Sequence, residues 1–495
     1  MVKYRCNVCN TFEYEPKRGN SLTGIKPGTE IRDFQPGWRC PICNSDATHL
    51  KPLPEEKPHP DHYEVKKCPF CGQDVISPVM HGKEENIESY LGPWRRYEDR
   101  TEVHMDEIHH ISRTGEALIE PMRTTLPVIS WDAILIKGAQ IAKIPLNHDL
   151  PVNTRTVIGP GAEKPLIIEV PFFVTHMSFG ALSREVKMAL AMGSAALKTA
   201  MGSGEGGILP EERDLAYRHI LEYVPNRYSI TDENLKAAAA VEIKIGQSTS
   251  PGLGAHLPAE KVTTEIAAIR GYPEKTDIIS PASYDDIRNQ EDLAKKIGWL
   301  REKSGGKPIG VKIAAGNIEA DLGVIIPAGA DYITVDGRPG ATGSAPKYIK
   351  DSTSVPTIYA LHRARKFLDS QNARDISLVI TGGFRTSADI AKALAMGADA
   401  VALGTASLMA CACQQYRICH TGKCPVGVTT QDPELRKRLE ISISARKLEL
   451  FFRVTLEELK DIARLTGNDD VHGLSVADLC TDSSEISNHT SIEHV

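Results

Sequence analysis

The chain has 495 residues, 41% of them hydrophobic and 25% charged, the balance of an ordinary soluble protein with room for one large barrel plus a small module. A net charge of -6 offers no electrostatic footing for nucleic acid or an anionic membrane surface. No apolar run approaches the roughly 20 residues that cross a bilayer, and the stretch from Met1 to Cys6 lacks the apolar character of a signal peptide, so a cytoplasmic protein is expected.

The eleven cysteines are clustered, which in a reducing compartment points to metal ligands rather than disulfides. Residues 1–53 carry two CxxC turns, Cys6/Cys9 and Cys40/Cys43. Each turn aims two thiolates at one ion, and two turns complete a tetrahedron that suits zinc or a single iron. Tyr4, Phe12, Tyr14, Phe34 and Trp38 are placed to enclose such a site. Asn10 and Asn44 follow the turns, where the backbone is left-handed and Asn tolerates it.

Residues 54–95 read as a linker rich in proline and charge, with a third turn at Cys68/Cys71. One turn is half a site. His59, His62 or His81 could complete a zinc site there, and a redox dithiol or an unliganded turn are the other readings.

A different rhythm begins at Pro165, inside a large domain expected over 96–470. Eight β-branched runs each end in Gly, Ser or Asp and lead into a helical stretch: Leu166–Thr175, Leu197–Met201, Val241–Ile245, Asp277–Ser280, Ile309–Ala314, Tyr332–Asp336, Leu378–Thr381 and Ala400–Leu403. Eight such units predict an α/β fold, a closed (β/α)8 TIM barrel with a small metal-binding domain before it. An open doubly wound sheet would carry a Gly-rich fingerprint after its first strand, and Met177–Ala181 is not one.

Barrel chemistry sits at the C-terminal strand ends. The seventh run ends in Thr381-Gly382-Gly383-Phe384-Arg385 and the eighth in Leu403-Gly404-Thr405. Glycines there let a phosphate approach the backbone, and Arg385 adds charge. Lys312 lies inside the fifth run. A lysine buried in a parallel strand needs an anion, and a reduced flavin presents one near N1 and O2. The third run supplies Lys244 and Gln247, and the sixth supplies Asp336 and Gly337 with Gly340–Gly343 beyond. The second leads into Ser203–Gly207, where Glu205 stands on a bare loop suited to a ligand contact or a gate. After the eighth run, within about 411–425, come Cys411, Cys413, Cys419 and Cys424-Pro425. Short cysteine spacing ending in Cys-Pro is typical of iron–sulfur ligation, with zinc as the rival. Residues 471–495 read as a polar tail.

Two resemblances gather these motifs. Residues 1–53, with Gly24–Thr29 and Gly37–Cys43, resemble rubredoxin, which implies one iron on Cys6, Cys9, Cys40 and Cys43. Cys413-x5-Cys419-x4-Cys424, Met177–Ser183, Ser203–Gly207, Glu242–Gln247, Asp336-Gly337 and Thr342-Gly343 resemble the FMN-binding synthase domain of glutamate synthase, archaeal type, over about residues 100–465. That resemblance implies FMN, a 3Fe-4S cluster on Cys413, Cys419 and Cys424, and reduction of 2-iminoglutarate, formed from 2-oxoglutarate and ammonia, to L-glutamate. It further implies Lys244, Gln247 and Arg270 facing flavin or keto acid, Glu205 at the ammonia entry, and Lys312 at the flavin ring. Ser178, Gly337, Gly343, Gly382, Gly383, Gly404 and Thr405 would complete the cofactor site.

The chain departs from that family at Ser248–Ala255, where Ser250 stands in place of a lysine expected near the dicarboxylate. A different keto acid, imine or other electrophile is therefore an alternative substrate, and an electron-relay subunit of a larger complex an alternative role. Residue 2 is Val, so no N-terminal glutaminase nucleophile is present, and no NAD(P) or FAD stretch is evident. Expected partners are an electron-donor protein or reductase subunit, a separate glutaminase-like subunit, and further copies of the chain in an oligomer.

Overall fold

The computed structural model describes residues 3–9, 12–21, 23–53, 96 and 99–495, with the backbone of two further strands at Tyr63–Lys67 and Asp74–Pro78. The chain divides into two compact units, Met1–Glu116 and Ala117–Val495. No helix of the described residues is long and apolar enough to cross a membrane.

In the first unit, Tyr4–Cys6 pairs antiparallel with both Glu13–Tyr14 and Leu50–Pro52. Its core is small: Cys6, Phe12, Tyr14, Cys40 and Leu50, with Tyr4, Phe34 and Trp38 packed against them. The Phe34 ring stands 4.9 Å from Tyr14 and 5.0 Å from Trp38, so the expected aromatic enclosure is present. A core of this size leaves folding to a staple such as a metal. Asn44 has φ 61, the left-handed backbone foreseen after its turn. Asn10, Cys68, Cys71, His59, His62 and His81 lie outside the described residues.

The second unit is built on a closed barrel of eight parallel strands. They are β1 (Phe172–Val174), β2 (Ala200–Gly202), β3 (Arg218–Tyr223), β4 (Ala240–Lys244), β5 (Ile309–Ala314), β6 (Tyr332–Asp336), β7 (Ser377–Thr381) and β8 (Ala400–Leu403). The ring closes where Leu403 of β8 aligns with Val174 of β1. One barrel strand was not expected, and one expected run lies outside the barrel. Arg218–Tyr223, passed over because Arg218, His219 and Glu222 make it read as polar, is β3. Ile278–Ile279 leaves the barrel to pair with His256–Leu257 in a two-residue antiparallel ladder. Lys244 therefore ends the fourth strand, not the third. The first expected run also splits: Leu166–Ile168 forms a hairpin with Thr156–Ile158, and only Phe172–Val174 enters the barrel.

Strand side chains alternate between two faces. Leu221, Val241, Ile243, Val311, Ile333, Val335, Ile380 and Val401 face the helices in the main core. Phe173, Ala200, Ile220, Ala240, Tyr332, Val379 and Ala400 form a separate inner cluster, closed below by Ile158, Leu166 and Ile168 of the hairpin. Gly310 makes room for this plug, because a Cβ there would lie 2.2 Å from the Tyr332 ring. Two residues further along the same strands the interior turns polar. Glu222 aligns with Glu242, Lys244 with Lys312, and Lys312 with Thr334.

Helices follow the strands: α1 (Arg184–Ala195), α2 (Pro210–Leu215), α3 (Asp232–Ala237), α4 (Thr264–Arg270), α5 (Gln290–Ser304), α6 (Ile318–Ile325), α7 (Thr357–Ser370), α8 (Ser387–Ala395), α9 (Thr405–Cys411) and α10 (Ile441–Leu465). Ser183 starts α1 by accepting the Val186 N–H, an N-cap. Along α10, Ala445, Leu448, Phe452, Thr455, Leu459 and Ala463 are buried at helical spacing, one face lying on the barrel. Residues 471–495, expected as a tail, fold back onto the domain. Leu479–Thr481 pairs with Ile134–Ile136, and Ile486 and Ile492 are buried.

The C-terminal rim is tied by a lysine without solvent exposure. Lys187 of α1 donates to the carbonyls of Met177 (2.8 Å) and Ser203 (2.7 Å) and pairs with Glu212 of α2 at 2.9 Å. His219 of β3 meets the same Glu212 oxygen at 3.1 Å. Removing one partner of such a buried pair strands the other charge, which costs about 3–5 kcal/mol. Glu212→Gln should lower unfolding stability by about that amount in denaturant titration; a change below about 1 kcal/mol would show that the tie carries little.

Candidate active site and metal centre

The barrel mouth opens into a cavity of about 380 Å³. Of the residues singled out in the sequence, Ser178, Glu205, Lys244, Gln247, Ser250, Arg270, Lys312, Gly343, Gly382, Gly383, Gly404 and Thr405 line it, as does Cys419. Gly337 does not reach the wall, because its carbonyl packs against the β7 turn: a Cβ on Gly382 would lie 2.1 Å from it. Gly382 has φ 114 and Gly383 φ 96, so this turn needs glycine both for its backbone and for the close approach.

The far end of the cavity is electropositive. Arg385 lines it beside the Gly382–Gly383 turn, and burial, reinforced by Arg123, holds its guanidinium below the ordinary arginine value. An anion bound there would offset the repulsion from Arg123 and favour the charged guanidinium. The Thr357 hydroxyl supports the turn by donating to the Gly382 carbonyl at 2.7 Å.

Lys312 is 4% exposed, so it does not run out to solvent. Lys244 forms an ion pair with Glu205. Burial opposes the Lys244 charge, yet Glu205 and Glu222 raise its pKa above the ordinary lysine value, so it is a cation throughout the neutral range. Glu205 is thus tied to a partner rather than free on its loop. Gln247 donates to Thr249 at 3.0 Å. Arg270, on α4, donates to the carbonyls of Phe179 (2.6 Å) and Gly206 (3.3 Å), which fixes the Glu205 loop against the Met177–Ser183 segment.

Lys261 was missed in the sequence. Nearly buried, it lines the cavity and donates to the carbonyls of Ala181 (3.1 Å) and Cys419 (3.2 Å), joining the mouth to the cysteine loop. Burial pushes its ammonium down to about 8, against the pull of Cys419 and Cys424. His176, Glu222 and Glu242 were also missed; they meet below the floor. The available signal was a charged residue at an inward position of an apolar strand, the same signal that found Lys312.

In the cysteine loop, burial raises the thiols of Cys413 and Cys419, and each is raised further by the neighbouring cysteines. Cys411 is 1% exposed, and burial pushes its thiol up to about 12. Met122 packs its sulfur 3.7 Å from that of Cys419. Among the described residues, the trio Cys413, Cys419 and Cys424 is not drawn together within 4.8 Å, whereas Cys6, Cys9, Cys40 and Cys43 are. Two sulfurs on one zinc, each about 2.3 Å from it, stand within about 4.6 Å of each other. The N-terminal four therefore fit a single ion.

In the N-terminal centre, Cys6 and Cys43 approach to 3.6 Å and Cys9 and Cys40 to 3.8 Å. The Ser45 hydroxyl bridges Cys6 and Cys43 at 3.2 and 3.1 Å. Against the cost of burial, hydrogen bonds from Ser45 and the backbone at Cys9 and Val8 bring the Cys6 thiol down to about 6. A thiolate at neutral pH is the form that binds metal.

Known proteins match both parts of the chain. Residues 136–469 match the family model of the conserved region in glutamate synthase, and residues 3–50 match rubredoxin. The archaeal-type glutamate synthase [NADPH] of Thermotoga sp. is 37% identical over 87% of this chain and 89% of its own. The archaeal glutamate synthase [NADPH] of Archaeoglobus fulgidus is 36% identical over 86% and 88%. A glutamate synthase large subunit-like protein of Rhizobium meliloti is 36% identical over 76% and 89%. Among solved structures, a flavocytochrome b2 variant aligns over 73% of this chain and 78% of its own, with 18% identity and a TM-score of 0.46. The chain belongs to the glutamate synthase family of oxidoreductases, its conserved region folded as the barrel and a rubredoxin domain preceding it.

Proposed function

We propose that this protein reduces 2-iminoglutarate, formed in the cavity from 2-oxoglutarate and ammonia, to L-glutamate, with FMN in the barrel mouth and a 3Fe-4S cluster on Cys413, Cys419 and Cys424. The observation that carries the reading is the cavity itself. One wall joins two glycine turns to the half-buried Arg385, and another holds the half-buried Lys244 and the buried Lys312. When bound, the flavin supplies two-electron hydride chemistry, and the iron centres supply single electrons.

The chain's own residues divide the remaining work. The turns at Gly382–Gly383 and Gly404–Thr405, with Arg385, would hold the FMN phosphate. Lys312 would face the ring where negative charge develops on reduction. Lys244 and Gln247 would orient the keto acid, with Glu205 setting the position of the Lys244 ammonium. Arg270 braces the Glu205 loop from behind. The short spacing of Cys413, Cys419 and Cys424-Pro425 is what motivates an iron–sulfur core on this trio. Cys419 lines the cavity, which favours short-range electron delivery. The rubredoxin domain would take electrons from a donor protein or reductase subunit.

A second reading keeps the chemistry and changes the acid. Ser250 lines the cavity, the Arg270 guanidinium is engaged by two main-chain carbonyls, and Leu253, Leu257 and Ile279 share that wall. This favours a keto acid without a second carboxylate. A substrate screen following flavin reoxidation separates the two readings.

Dithionite-reduced enzyme mixed with 2-oxoglutarate and ammonium should form L-glutamate in step with reoxidation of its chromophores. No glutamate, from a preparation that contains flavin, iron and sulfide, would refute the proposed reaction. Cys40→Ser should abolish the visible absorption of the N-terminal iron while leaving the flavin content unchanged. Turnover supported by dithionite should then fall less than turnover supported by a protein donor. Equal loss with both donors would remove the rubredoxin domain from the inlet.

A further inference from the structure

Lys261 is a buried lysine that the reading above leaves unused. It is 4% exposed and ends a short helical turn, Ala259–Lys261. Buried lysines as a rule have a paired anion. Three others in the barrel domain keep that rule: Lys187 meets Glu212 at 2.9 Å, Lys347 meets Asp351 at 2.5 Å, and Lys350 meets Glu120. Lys261 instead donates to two main-chain carbonyls, Ala181 at 3.1 Å and Cys419 at 3.2 Å. Among the described residues it has no carboxylate partner. The groups whose charge bears on it are Cys419 and Cys424, which favour the ammonium, and Arg270, which opposes it.

The cysteine loop packs over this side chain. Gly422 stands between Cys419 and Cys424 with φ 69, and a Cβ there would lie 3.4 Å from Lys261 Cγ. The stem therefore runs along the turn while the head reaches the Cys419 carbonyl. The influence is mutual. Burial raises the Cys419 thiol, and a Thr429 hydrogen bond and the Lys261 charge are among the effects that pull it back. Cys419 and Cys424 are buried, and the cation lodged in their loop lacks a carboxylate, which suits a bound group of net negative charge.

We propose that Lys261 is the counter-ion of an iron–sulfur cluster on Cys413, Cys419 and Cys424, a positioning residue whose charge sets how readily that cluster takes its electron. This rests on the reading of the trio as cluster ligands. Each thiolate brings one negative charge, and the electron from the donor protein adds one more, with no bond formed or broken. A fixed cation beside these charges stabilises the reduced form more than the oxidised one and so raises the reduction potential. Lys261 also lines the flavin cavity, but the anions that favour its charge are those of the cysteine loop, so the cluster feels it more than the flavin does.

A redox titration of the holoenzyme tests this, with the cluster followed by electron paramagnetic resonance and the flavin by absorbance. Lys261→Gln keeps donors for the carbonyls and loses the charge. It should shift the cluster's equilibrium about tenfold toward the oxidised form, a fall of about 59 mV for one electron, and move the flavin less. Lys261→Arg keeps the charge and should stay close to wild type. A cluster lost from Lys261→Gln but kept in Lys261→Arg would likewise place the requirement on the charge. An unmoved cluster potential in Lys261→Gln, an equal fall in both variants, a larger shift in the flavin than in the cluster, or loss of the cluster from both would overturn the proposal. Wild-type protein that holds flavin but shows no iron–sulfur signal would refute the cluster itself and the role of Lys261 with it, whereas an intact cluster with an unmoved potential refutes the role of Lys261 alone.

Discussion

Lys187 holds the working end of the barrel in place. Its ammonium has three protons and uses them on Met177, Ser203 and Glu212, none in contact with water. Met177 opens the segment that follows β1, and Ser203 opens the loop that follows β2 and carries Glu205. Two loops that must meet the same ligand are thus referred to one fixed point on α1. A hydrophobic side chain there could fill the volume but could not satisfy two inward-pointing carbonyls, and unpaired buried carbonyls are costly. Glu212 makes a buried cation tolerable, and His219 of β3 joins a third strand to the tie. Arg270 repeats the device on the other side of the Glu205 loop, again with main-chain carbonyls as its partners.

Charge inside the barrel follows from the pleat. Inward positions are apolar at the bottom and ionic at the top, and the switch occurs within two residues on β3, β4 and β5. Strand register sets like charges beside each other, Glu222 with Glu242 and Lys244 with Lys312. Against the cost of burial, His176 and Lys312 favour the charged form of Glu242, and Glu205 and Glu222 that of Lys244.

Much of this was legible from the chain. The two N-terminal cysteine turns, most of the alternation of strands and helices, the paired glycine turns and the buried strand lysine have local signatures, and the structure has them where those signatures lie. What escaped was relational. Glu222 and His219 made β3 look like a polar connection, because a strand buried on both faces normally reads as continuously apolar. Ile278–Ile279 has the composition of a strand but is closed off by the short ladder it shares with His256–Leu257. The residue that ties the rim, Lys187, sits among ordinary helix formers, and no spacing rule distinguishes it from a solvated lysine. Residues 471–495 looked like a tail because their few apolar side chains, Ile486 and Ile492 among them, acquire meaning only against Ile134–Ile136.

Gly310 and Tyr332 have a consequence for traffic. With the Tyr332 ring occupying the space that a β5 side chain would take, and the hairpin closing the inner cluster below it, the barrel is stoppered at one end. A ligand therefore reaches the cavity from the strands' C-terminal end and not through the barrel axis, so the packing of the inner cluster decides the direction of approach before any binding contact is made.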